Sequence, residues 1–332
     1  MQSIDLREFV AAVAALVDRH RLAPGEYQRW RWPHENLERD LGVNPYGCAD
    51  AANLLYTIGR FPPPREWPAW VAALRDQQDR ASGLFTDPTH DPIHTTAHCI
   101  AALELFGAKP AHPLTALLPL GARAELEAFL DQLDWSWNPW GASHRGAGLY
   151  AALVLAGEVG DEWQQWYFDW LWHEADESTG LWRRGAIDAG GDALRFHHLA
   201  GTFHYLFNHE YARRPLPHPA RLIDTCLDIR ARRLFPLGRM VGFAEIDWIY
   251  CLTRSLRQCG HRFAECRQAL IDFALDYAAY LCGLDPERDD GLNDLHQLFG
   301  AVSALAELQQ ALLGLLRTER PLQLVLDRRP FI

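Results

Sequence analysis

The stretch Ser82-Gly-Leu-Phe-Thr-Asp-Pro-Thr-His-Asp-Pro-Ile-His-Thr-Thr-Ala-His-Cys-Ile-Ala-Ala-Leu-Glu-Leu-Phe106 decides the fold. A Gly-Leu-Phe turn leads into a polar loop with two prolines. The spacing then predicts a helix from about Pro92 to Gly107, with proline in its first turn and glycine past its end. His94 and His98 lie four apart, so they share one face near the start of that helix. Weaker copies of this turn–loop–helix unit recur along the chain. Ser178-Thr-Gly-Leu-Trp182 echoes Ser82-Gly-Leu-Phe85 and precedes an apolar run through Leu194–Asn208.

Working outward, helical periodicity places an amphipathic helix at 4–20 and, after an irregular 21–45, an apolar one at 46–59. Amphipathic stretches follow at 65–80, 113–133, 160–175, 220–231 and 262–282. Apolar ones open near Pro92, Leu194, Gly242 and Asp289, and one follows the 135–148 stretch. The tail 315–332 is irregular, with a β-like patch at Leu322–Leu326. The expected count is about twelve helices in six pairs, an amphipathic member before an apolar one, at a period near 50 residues. No Gly/Ser/Pro linker divides the chain. The expected fold is therefore all-α, a single (α/α)6 toroid domain over 1–332, with the amphipathic helices outside and the apolar helices inside.

Composition bounds the partners. The 332 residues are 48% hydrophobic, enough for a large core, and the formal net charge is −11 with no basic run. That charge argues against nucleic acid. No apolar stretch is long enough to predict a membrane span. The N-terminal twenty residues carry Asp5, Arg7, Glu8 and Asp18 and do not read as a signal peptide. Seven scattered cysteines without a C-x-x-C pair predict reduced thiols, no structural zinc site and a cytoplasmic setting. Oligomeric state is not encoded in any recognisable pattern. Thirteen tryptophans supply core packing first, and sugar-stacking platforms second.

The pattern Gln78-x4-Gly-x-Phe85 and its echo Gly180-Leu-Trp182 resemble degenerate copies of the repeat in terpenoid cyclases and protein prenyltransferase β-subunits. The helix count is similar to that of six-hairpin glycan enzymes: glycosidases, polysaccharide lyases and sugar epimerases. The resemblance implies a toroid whose inner-helix starts line a cavity. The chain departs from those families in chemistry. The acidic D-x-D-D motif is absent, Asp289-Asp290 being only a pair, and Asp224-Thr-Cys226 falls on an outer helix.

Polar residues gather near the expected inner-helix starts: Asp50; His90, His94 and His98; Asn138, His144 and Arg145; His197, His198 and His204; Glu245 and Asp247; Asn293, Asp294 and His296. Each one taken singly reads as a helix cap or a satisfied core partner. As a set they predict a polar cavity, because unpaired polar groups on apolar helices cost about 1–3 kcal/mol each. The leading expectation is an enzyme acting on a sugar or oligosaccharide by hydrolysis, elimination or epimerisation. Glu245 or Asp247 serves as general acid or base, and His198, His144 and His98 share proton transfer. Asp50, His94, Asn138, Arg145, His197, His204, Tyr205, Tyr250, Asn293 and His296 contact the substrate, with Trp140 and Trp248 stacking on it. On a helix, Glu245 and Asp247 point about 200° apart, so one faces the cavity and the other caps or pairs. No cofactor is expected; the alternative is one divalent metal near His94 and His98. Two other readings stand beside the first: an isoprenoid-type ligand, and a non-catalytic binding toroid.

Overall fold

The computed structural model describes residues 3–329 and 331. The chain is mostly helical, with thirteen α-helices and four two- or three-residue strands among the described residues. In chain order these are α1 (Arg7–Arg19), α2 (Pro45–Thr57), α3 (Trp67–Arg75), α4 (Pro92–Leu105), α5 (Arg123–Asp131), α6 (Pro139–Ala156) and α7 (Asp161–Glu174). Then come α8 (Gly191–Tyr211), α9 (Pro219–Ala231), α10 (Ala244–Cys259), α11 (Phe263–Cys282), α12 (Asp290–Asn293) and α13 (Leu295–Ala311). The alternation read from the sequence is present. Helices α2, α4 and α13 are buried on almost every side, whereas α3, α5 and α9 bury a stripe.

The chain forms two compact units, each assembled from separated segments. The first comprises 1–77, 236–250 and 263–325; the second comprises 78–235, 251–262 and 326–332. In the first, α2 packs on α13. Ile4–Asp5 pairs in parallel with Leu316–Arg317, so α1 begins at Arg7 rather than at residue 4. Arg21–Ala23 and Glu26–Tyr27 form a small hairpin within a region that reads as irregular.

Two boundaries differ from the sequence expectation for identifiable reasons. The last apolar helix does not run unbroken from Asp289. Asp294 leaves helical geometry (φ −103°, ψ 111°), accepts the His296 N–H at 2.9 Å as the cap of α13, and is gripped by the buried Arg29 guanidinium at 2.8 and 2.9 Å. The Leu322–Leu326 patch is not a strand. Its Leu322 N–H goes to the Gln309 side chain and its Gln323 N–H to the Thr57 carbonyl, so no ladder forms, and 325–328 turns into a 3-10 helix.

In the second unit, α6 packs between α4 and α8. The helices approach closely because glycines face bulky rings. A Cβ on Gly146 would sit 2.3 Å from the Tyr205 hydroxyl oxygen, and one on Gly201 would sit 2.8 Å from the Trp135 ring.

The two quoted turns are built alike, atom for atom. Asp79 Oδ1 accepts the Ser82 N–H, and Asp176 Oδ1 accepts the Thr179 N–H, both at 2.8 Å. Gly83 and Gly180 follow with φ of +75° and +73°, a conformation that favours glycine. The next aromatic residue donates its backbone N–H to a threonine hydroxyl on the helix that follows: Phe85 to Thr96 on α4 at 2.9 Å, and Trp182 to Thr202 on α8 at 3.1 Å. The repeated motif is thus a clamp that ties the turn to the helix after it.

Candidate functional site

Helices α4, α6 and α8 carry His94, His144 and His204 to one place. Asn44, Asp91 and Asn138 cap α2, α4 and α6 with a side-chain oxygen, and a proline follows directly in each case. His94 therefore sits in the first turn of α4 and His144 in the second turn of α6. Helix α8 starts at Gly191, three residues before the expected Leu194, which leaves His204 near its middle.

The ring centroids of His94 and His144 are 4.3 Å apart, those of His144 and His204 4.7 Å, and those of His94 and His204 6.3 Å. One nitrogen from each ring falls within 4.8 Å of the others. His90 stacks on His94 at 4.8 Å. Phe331 closes another side, 4.9 Å from His94 and 5.6 Å from His204. His94 and His204 are buried; His144 is partly open.

Second-layer contacts set the tautomer of His204. The Ser143 hydroxyl donates its single proton to the Trp140 carbonyl at 2.6 Å, so its oxygen accepts from His204 Nδ1–H at 3.0 Å. Nε2 then carries the lone pair. Burial, with His144 alongside, holds the His204 imidazolium form far from reach, its pKa lying well below the usual histidine value.

A pocket of about 480 Å³ opens beside His144. It is lined by Thr89, His90, Asp91, Leu133, Asp134, Asn138, Gly141, Ala142, His144 and Arg145. Arg145 Nε lies 3.5 Å from Asp91 Oδ2, and its guanidinium rests 5.2 Å from the Phe129 ring. Asp134 is committed to the backbone and hydroxyl of Ser136. The side chains facing this pocket are thus mainly hydrogen-bonding groups.

Other predicted residues of this unit surround the cluster in different roles. His98 is buried, and its Nδ1 accepts from Arg329 at 3.0 Å. His198 donates from Nδ1 to the Trp182 carbonyl at 2.8 Å, adding a second link between the turn and α8. His198 and Tyr205 share the face against Trp135, at 6.3 and 5.5 Å, as their seven-residue spacing requires. Burial lowers the pKa of His197 and His198 and raises that of Tyr205. Trp140 lies between His144 and His197, 6.5 and 6.0 Å from them.

The remaining predicted residues belong to the first unit. Asp50 Oδ2 and His296 Nδ1 meet at 3.0 Å, both buried, with Tyr46 and Phe243 against the imidazole. Asn293 holds the backbone of 31–32 in place by accepting from the Arg31 N–H at 2.8 Å. Glu245 folds back to accept the Gly238 N–H at 2.9 Å, so it fixes the loop before α10. Burial still pushes its pKa up to about 7. Asp247 is fully buried, its pKa raised well above the carboxylate range by burial and by the charge of Glu245. Trp248 is fully buried against Phe273, and Tyr250 is fully buried.

Sequence reasoning missed Ser143, Asp91 and Phe331 as parts of the cluster. Ser143 had one signal, its position beside His144; Phe331, at the far end of the chain, had none. No family model matches the chain, and no curated protein or solved structure matches it either.

Proposed function

We propose that the protein is an enzyme acting on a sugar or oligosaccharide, with the polar pocket beside His144 as its substrate site. One observation carries this reading: Thr89, His90, Asp91, Asp134, Asn138, His144 and Arg145 line the pocket with hydrogen-bonding side chains, beside the small apolar surface of Leu133 and Ala142. A polyhydroxylated ligand can use such a density of donors and acceptors, whereas an isoprenoid chain would displace their water and offer no hydrogen bond in return. The pocket's volume of about 480 Å³ falls in the range of small-molecule sites. The architectural premise of the reading is the toroid of helical hairpins.

Among the three sugar chemistries, elimination or epimerisation fits best. Hydrolysis by the usual route needs two available carboxyl groups. Here Asp91 caps α4 and faces Arg145, and Asp134 holds its own turn. The groups left for proton transfer are imidazoles, with His90 and His144 on the pocket wall. Arg145 would hold a uronate carboxylate and neutralise its charge, which makes the neighbouring C–H more acidic, and Asn138 would orient hydroxyl groups.

The test is a panel of uronate-containing and neutral oligosaccharides, followed by the absorbance of an unsaturated uronate product and by solvent deuterium uptake. His144→Ala and Arg145→Ala should each lower kcat/KM at least 100-fold, while Trp172→Ala, an exposed residue of α7 outside the lining, should change it little. A turnover that survives both pocket substitutions would remove the site assignment.

A further inference from the structure

We infer that His94, His144 and His204 bind one divalent transition-metal ion of the zinc class. The three rings project from three neighbouring helices, so the donor set is held by packed secondary structure. Their ligating nitrogens lie within 4.8 Å of one another. The corners of an equilateral triangle with that edge are about 2.8 Å from its centre, and a zinc–imidazole bond is about 2.0–2.1 Å. Closing on an ion therefore asks for about 0.7 Å from each ring, which a small side-chain rotation supplies.

The surroundings match what such a centre requires. Ser143 takes His204 Nδ1–H and is itself anchored on the Trp140 carbonyl, which leaves Nε2 as the nitrogen with a lone pair to offer an ion. Phe331 and the His90 ring pack against the cluster and limit the freedom of His94. His144 is shared with the pocket, so a fourth coordination position would open toward whatever binds there, as in catalytic rather than structural sites. Three imidazoles without a carboxylate or thiolate suit zinc, cobalt, nickel or copper and reject magnesium and calcium. His98, paired with Arg329, is not part of the set, so the ion does not sit on the His94–His98 pair that helical spacing first suggests. The inference stands apart from the sugar reading, since it concerns metal affinity alone. If both hold, His90 is the imidazole left for proton transfer.

The test uses the full-length, tag-free protein, stripped with chelator and titrated with Co²⁺ by absorbance and with Zn²⁺ by calorimetry. One equivalent should bind, and the cobalt spectrum should show tetrahedral or five-coordinate d–d bands without a thiolate charge-transfer band. His144→Ala, at a partly open position that folding tolerates, should weaken binding at least 100-fold with an unchanged circular dichroism spectrum. Ser143→Ala should weaken it about tenfold. Absence of stoichiometric binding, a thiolate band, or undiminished affinity in His144→Ala would overturn the assignment.

Discussion

Replacing Gln78 by alanine tests the physical meaning of the repeat motif. Gln78 is buried at the edge of the first turn. Its Nε2 donates to the Gly83 carbonyl at 2.7 Å and the His112 carbonyl at 2.8 Å, and its Oε1 accepts from the Ala111 and His112 N–H groups at 2.8 and 3.0 Å. Alanine deletes all four bonds. At about 0.5–1.5 kcal/mol net each, and with water reaching the 111–112 side, the loss should be about 3 kcal/mol. For a chain of this size that lowers Tm by roughly 5 °C. The second turn has Ala175 where the first has Gln78, yet its Asp176 and Thr179 bonds form in the same way. The turn itself should therefore persist, and the damage should appear as faster amide exchange at 111–112. Gln78→Glu keeps the shape but sets a carboxylate against two carbonyls, so it should be at least as destabilising at neutral pH and partly recover on acidification. Denaturant unfolding and hydrogen exchange measure both. An alanine variant within about 0.5 kcal/mol of wild type would refute the argument that this glutamine locks turn to loop.

Gly146→Ala should cost about 1–3 kcal/mol through the 2.3 Å approach to the Tyr205 hydroxyl, and Tyr205→Phe should recover part of it in a double-mutant cycle by unfolding. Breaking the Arg29–Asp294 pair, buried and two-pronged, should cost about 3–5 kcal/mol in Arg29→Met, read from the same unfolding curves. Stability should peak in weakly acidic solution. Burial depresses His20 to about 4 and His209 to about 3, so the unfolded chain binds more protons below the usual histidine pKa, and stability falls as pH drops through that window. Burial raises Glu245 to about 7, so the folded chain binds more protons above the usual carboxylate pKa, and stability falls as pH rises toward neutrality. His20→Gln should flatten the acid limb and Glu245→Gln the neutral limb of a Tm-against-pH curve.

Helix identity was legible because apolar period and punctuation agree. Pro92 marks the first turn of α4, which starts where the pattern places it, whereas α6 already starts at Pro139, inside the 135–148 stretch that reads as leading into it. What the pattern could not carry were partners remote in sequence. Asp294 breaks the last apolar helix for Arg29, 265 residues earlier, and Leu322 gives its N–H to Gln309 rather than to a strand. The two-unit organisation leaves no linker to read, since both units are discontinuous in sequence. Within the site, helical spacing joined His94 to His98, but the structure sets His94 nearer to His144 and gives His98 to Arg329. Neighbouring helices choose among rings that lie on one face, and one helix cannot record that choice. The pairing of Asp50 with His296 joins two residues from the polar set, although 246 positions separate them.

The most direct test of the account is a crystal structure determined with an oligosaccharide that the activity screen identifies. The account predicts ligand density in the pocket beside α4 and α6, within hydrogen-bond distance of His144 and Arg145. Density confined to the pockets of the first unit, or to an outer face, would contradict it.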